Sequence, residues 1–119
     1  MWSKKRIRDI ATFFSAMAIA TPTFAQQPKE IRITASEFSF KPAKIHVPQG
    51  EVKIIVTNRE KFPHGLGIVG RNEKIKYIES GETERLSISF DKEGELIFYC
   101  PQPGHRRKGM EGTLSVLKK

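Results

Sequence analysis

The chain has 119 residues, a net charge of +8 and a single cysteine. That length suits one small domain, and one cysteine excludes an internal disulfide. Nucleic-acid binding is also excluded, because it calls for a basic stripe with interleaved aromatics and the only basic run beyond residue 25 is Arg106-Arg107-Lys108.

The N-terminal segment opens with Lys4, Lys5, Arg6 and Arg8 against one acid, Asp9. An apolar stretch covers residues 10–20, and the segment ends Thr21-Pro-Thr-Phe-Ala25, with small residues at the last and third-last places. A basic start, a short apolar run and a small-residue exit describe a secretory signal peptide, expected as a helix within residues 1–25 and cut between Ala25 and Gln26. Spanning a bilayer takes about 20 apolar residues, roughly twice this run, so a retained membrane anchor is the weaker reading. Arg6 and Arg8 are not adjacent, so there is no twin-arginine signal. The expectation is export, to a periplasm or an equivalent compartment, with no stable membrane insertion after cleavage. Four cations and one anion leave with the segment, so residues 26–119 carry +5. A domain of this size buries roughly 60–70% of its unfolded surface, enough for a core without staples.

From residue 26 onward the apolar pattern has a period of two. Ile31, Ile33 and Ala35 alternate with Arg32 and Thr34; Phe38 and Phe40 flank Ser39; Ile45 and Val47 flank His46. Val52, Ile54 and Val56 follow the Pro48-Gln-Gly50 turn. The stretch from Lys61 to Lys76 is less regular and reads as a loop entering a short strand. Further on, Leu86, Ile88 and Phe90 share one phase, Leu96, Phe98 and Cys100 another, and Leu114 and Val116 close the chain. Short runs with this alternation, parted by Gly and Pro, predict strands. No long helical period occurs beyond residue 25, so the expected class is all-β, an antiparallel sandwich or barrel in one domain over residues 26–119.

The scarce residue types are placed unevenly. Beyond residue 25 there is one Cys, one Met and three His. Cys100, His105 and Met110 follow a Cys-x4-His-x4-Met spacing, and His64 lies upstream between Pro63 and Gly65. Taken singly, each has a bland explanation: a buried inert thiol, a core gap-filler, a loop imidazole. A free thiol is a liability outside the cytoplasm, however, and metal ligation removes it. Two imidazoles and a thiolate with a distant thioether are the donors of a blue-copper site. Zinc favours four short bonds and more thiolates or carboxylates. Cys100 is in step with Leu96 and Phe98, so its sulfur is expected to point inward, with His64, His105 and Met110 converging on it from loops at one end. His46, between Ile45 and Val47, is expected to face solvent.

The runs Phe62-Pro-His64 after Asn58, and Tyr99-Cys-Pro-Gln-Pro-Gly-His105-Arg-Arg-Lys-Gly-Met110-Glu-Gly112, resemble the cupredoxins. Within that family they are most similar to small plastocyanin-like electron carriers. The resemblance runs from about Ile31 to Leu117. It implies a Greek-key β-sandwich, one type 1 copper ion cycling between Cu+ and Cu2+, His64, Cys100 and His105 as in-plane ligands, and Met110 as a weak axial ligand. Asn58 and Gly65 would support those ligands. His105 would present its ring edge in an apolar patch rimmed by Phe62, Pro63, Leu66 and Pro103, and Tyr99 would mark a second contact surface. Plastocyanins commonly place Asn after the first ligand His, where this chain has Gly65. Plant plastocyanins also carry acidic runs near the Tyr surface, where this chain mixes Glu73, Lys74, Lys76, Glu79, Glu82 and Glu84.

The expected function is one-electron shuttling, as a monomer, between exported or membrane-bound redox partners such as cytochromes or oxidoreductases. Arg106, Arg107 and Lys108 directly follow His105, and would steer acidic partners to it. Protein donors fill every coordination position, so no enzymatic step is expected. A catalytic copper oxidase would need a second metal centre, and only His46 is left over. Copper trafficking is the rival reading, although carriers of that kind rely on more Met or Cys. An accessory subunit or sensor is the third.

Overall fold

The two-residue alternation becomes nine strands in the computed structural model, which describes residues 28–119. The expected signal segment lies outside the described residues. In chain order the strands are β1 (Lys29–Ser36), β2 (Ser39–Lys41), β3 (Lys44–Pro48), β4 (Gly50–Asn58), β5 (His64–Ile68), β6 (Lys74–Ile78), β7 (Thr83–Phe90), β8 (Gly94–Tyr99) and β9 (Glu111–Leu117). They form two sheets, a four-stranded one ordered β2-β1-β4-β7 and a five-stranded one ordered β3-β9-β8-β5-β6. No helix among the described residues is long and apolar enough to cross a membrane.

The inward faces follow the alternation. Ile33 and Ala35 of β1, Val52, Ile54 and Val56 of β4, and Ile88 and Phe90 of β7 are buried, as are Leu66, Ile68, Phe98, Leu114 and Val116 from the second sheet. Each large side chain of this kind contributes about 1.5–3 kcal/mol by leaving water. His46 is exposed on β3, as its phase requires.

The sheets are mixed, which corrects the expectation of an antiparallel sandwich. β1 runs parallel to β4, and β3 parallel to β9. The chain leaves the first sheet after Lys41 and enters the second at Lys44, so β3 continues in the direction of β2 and meets β9 running the same way. Local periodicity carries no information about such non-local pairings.

The connections segregate to two poles. The β1–β2 turn, residues 59–63, the β6–β7 turn and the β8–β9 loop lie at one, with bonds such as Arg59 N–H to the Ala35 carbonyl (3.2 Å) and Gly81 N–H to the Asn58 carbonyl (2.8 Å) joining neighbours among them. At the other, Pro28 and Lys29 share a surface hollow with Pro48–Glu51 and Lys119, and the Gln49 N–H bonds the Leu117 carbonyl at 3.0 Å. Both ends of the described chain therefore emerge at that second pole.

Candidate metal centre

Cys100 follows the last residue of β8. Its phase with the fully buried Phe98 turns the thiol inward, and it is 1% exposed. The next ten residues make a tight loop closed by its own backbone. His105 N–H bonds the Gln102 carbonyl, Lys108 N–H the His105 carbonyl, and Met110 N–H the His105 carbonyl, each at 3.1 Å. Cys100 N–H bonds the Met110 carbonyl at 3.1 Å, joining the two ends of the loop. Met110 is fully buried and His105 half-buried. The Gln102 side chain anchors the loop to β6 by donating to the Lys76 carbonyl at 2.8 Å.

His64 opens β5 and is 1% exposed. Asn58, fully buried at the end of β4, shapes the loop that delivers it. Its amide nitrogen donates to the Phe62 carbonyl (2.8 Å) and the Ile78 carbonyl (2.9 Å), and its Oδ1 accepts the Glu60 N–H (2.9 Å). Asn58 thus supports the site through the backbone around His64.

Three donor atoms meet. His64 Nδ1 is 3.2 Å from His105 Nδ1 and 3.9 Å from the Cys100 sulfur, and His105 Nδ1 is 3.5 Å from that sulfur. A point about 2.1 Å from all three lies inside this triangle, within the roughly 2.0–2.3 Å range of metal bonds to imidazole nitrogen and thiolate sulfur. The space between the three atoms therefore suits a metal ion without rearrangement of the donors. His64 Nε2 is buried with no hydrogen-bond partner, so Nδ1 is the nitrogen of that ring turned to the cluster. Burial, and then the nearby His105, hold the His64 imidazole below its usual pKa, partly opposed by Glu60. Burial pushes the Cys100 thiol up, against the pull of backbone N–H donors at Gln102 and Gly65. Both shifts disfavour charge in the metal-free pocket, and a bound cation reverses that preference for the thiolate.

Gly65 has a steric reason. A β-carbon there would lie 2.5 Å from the Ile75 carbonyl oxygen and 2.8 Å from that of Lys76. An Asn at this place, as in plastocyanins, has no room. The link between the two ligand loops is made by the Gly65 N–H instead.

The outer rim differs from expectation. Leu66 is fully buried and belongs to the core, not to a surface patch, because it shares the inward phase of His64 on β5. Phe62 is exposed and Pro63 half-buried ahead of His64, and Pro103 is exposed on the loop carrying His105. Arg106 is engaged: its Nε donates to Glu111 at 3.1 Å, and its guanidinium sits 4.9 Å from the centre of the Tyr99 ring. Tyr99 in turn lies across Gly67 of β5, where a β-carbon would come within 3.0 Å of the ring. Lys108 Nζ stands 4.6 Å over the Phe38 ring, and Arg107 is exposed with no side-chain partner among the described residues. The alternation of Phe38 with Phe40 predicts a strand position for Phe38. The residue instead occupies the β1–β2 turn with φ 56°, its ring set edge-on to His105.

A model of the cupredoxin-like domain matches residues 9–116. The chain belongs to the cupredoxin-like family. Among solved structures, this cupredoxin is similar to a dithionite-reduced auracyanin from the photosynthetic bacterium Roseiflexus castenholzii, at 18% identity and TM-score 0.68, over 77% of this chain and 99% of that one. It is also similar to auracyanin B, at 16% identity and TM-score 0.70, over 82% of this chain and 95% of that one. A multicopper oxidase matches at 24% identity and TM-score 0.67, over 78% of this chain but 40% of that one. These likenesses show a shared two-sheet fold. No curated protein sequence matches the cupredoxin.

Proposed function

We propose that this cupredoxin would hold one copper ion with His64, Cys100 and His105, with Met110 as a weaker fourth donor, and pass single electrons between redox proteins. One observation carries the reading: the triangle of His64 Nδ1, His105 Nδ1 and the Cys100 sulfur, with edges of 3.2, 3.5 and 3.9 Å, at one pole of a rigid sandwich. Bound copper would supply a one-electron couple between Cu+ and Cu2+.

The protein's part is to hold the donors still. The sandwich and the self-closed loop of residues 100–110 keep soft and borderline donors in one arrangement, a compromise between the preferences of the two oxidation states. Little reorganisation then accompanies electron transfer. His64 and Cys100 are buried, whereas His105 is half-buried, so the His105 ring is the exit from the site. With Met110 as a fourth donor beside His64, Cys100 and His105, side chains would fill the coordination positions and leave substrate no place to bind, which favours a carrier over an enzyme. The near-complete overlap with auracyanin chains supports the same choice, since the oxidase overlap covers less than half of that enzyme.

Residues 1–25 are proposed as an export signal on their basic and apolar pattern, placing residues 26–119 in a periplasm or equivalent compartment as a monomer. Partners are proposed to be cytochromes or oxidoreductases with acidic docking faces. The deciding experiment is visible and EPR spectroscopy of copper-loaded protein. An intense thiolate-to-copper band with narrow hyperfine splitting is expected, and it should vanish in Cys100→Ser. A colourless complex in the wild-type chain overturns the proposal.

A further inference from the structure

We infer that Phe38 is a positioning residue for His105, holding the half-buried imidazole in its site-facing orientation. As a statement about metal binding, this rests on the copper reading above. As a statement about the His105 ring, it stands on geometry alone.

The first observation is the backbone. Phe38 has φ 56°, and it is the one non-glycine residue with positive φ among the described residues. Side chains other than Asn and Asp rarely adopt that conformation, and a turn under no other demand would favour Gly or Asn there. An observed outlier of this kind is a reason to look for a role. The second observation is where the ring goes. Its centre is 5.3 Å from that of His105, with the planes at 89°, the edge-to-face arrangement aromatic pairs prefer. The third is that the ring is itself held. Lys108 Nζ lies 4.6 Å from its centre on one side, and the side chain packs against the core. The turn is tied to the loop before His64 by the Arg59 N–H to Ala35 carbonyl bond.

His105 needs such a support. The backbone of its loop is closed, but the imidazole is half-buried at the surface. Its ring contacts are to His64, with centroids 5.1 Å apart, and to Phe38. The β1–β2 turn supplies no metal donor. It supplies the ring that fixes one.

The test compares Phe38→Leu, which keeps apolar bulk without the ring, with Phe38→Tyr, which keeps the ring. The first readout is the His105 imidazole proton resonances of the metal-free protein by NMR. Phe38→Leu should move them toward values for an unstacked ring, and Phe38→Tyr should restore them. The second is the rate at which the copper(I) protein loses metal to a chelator. Phe38→Leu should speed it roughly two- to tenfold, the worth of one aromatic pair, with Phe38→Tyr near wild type. If Phe38→Leu leaves the His105 resonances where they were, or Phe38→Tyr behaves like Phe38→Leu, the inference is wrong. Should Phe38→Leu fail to fold, Phe38→Asn, suited to this backbone, takes its place with the same expectations. A wild-type protein that forms no thiolate–copper band overturns the proposed function instead, and the NMR comparison still decides the role of Phe38.

Discussion

The backbone N–H of Gly65 is a donor to the sulfur of Cys100, linking the strand that begins with His64 to the loop that carries the other donors. The same residue is hemmed in from behind by the Ile75 and Lys76 carbonyls. Gly65→Ala must push β6 away or rotate the N–H off the sulfur. We expect a loss of about 1–3 kcal/mol, the usual cost of overpacking, read by urea unfolding of the metal-free protein. The thiolate–copper band should shift in the loaded one. Wild-type stability together with an unmoved band would contradict the crowding described here.

Asn58 acts without touching the donor triangle. Asn58→Ala strips partners from the Phe62 and Ile78 carbonyls and from the Glu60 N–H. One of these bonds is fully buried, and each unsatisfied group costs about 1–3 kcal/mol. A total of roughly 2–4 kcal/mol is expected in chemical unfolding, together with weaker metal retention as the loop before His64 loosens.

The lowered pKa of His64 fixes a sign for acid behaviour. The unfolded imidazole takes up its proton near the ordinary 6.5, while the folded one resists until lower pH. Between those values the unfolded chain binds more protons, so stability falls as pH falls. The contribution of His64 is thus fully present above 6.5 and is lost as pH drops through the lowered value. Thermal melts of metal-free protein between about pH 8 and pH 5 should show this fall. His64→Gln should flatten it, and an equally steep fall in that variant would assign it to another group.

The three consecutive cations after His105 are not equivalent. Arg106 is spent on Glu111 and Tyr99, and Lys108 on Phe38, leaving Arg107 to project freely. Arg107→Glu should therefore slow association with an acidic redox partner roughly three- to tenfold at low ionic strength, and the effect should fade as salt screens it. Stopped-flow measurements across a salt series are the check. Arg106→Gln should instead show mainly as a small loss of stability.

Much of the centre was legible in one dimension because ligand chemistry and strand phase are local properties. Cys100 had to point inward once Leu96 and Phe98 were in the core, and the spacing to His105 and Met110 places all three on one loop. The same rule, applied to β5, would have put Leu66 beside His64 inside the sandwich; the three glycines of that stretch masked its period. Phe38 was illegible for a different reason. An aromatic two places before Phe40 looks like strand alternation, and nothing nearby signals a left-handed turn. The parallel pairs depend on segments distant in the chain, and the seat of Arg106 on Tyr99 depends on how the β8–β9 loop folds back; neither leaves a periodic trace.

The two exits of the chain lie where β1 begins and β9 ends, a strand's length from the His105 rim, roughly 25 Å at about 3.3 Å per residue. Fusion or chemical coupling at either end of the described residues would grip the domain by its base. A protein immobilised on an electrode in this way would turn its electron-exchanging surface toward solution, where a soluble partner can reach it unobstructed.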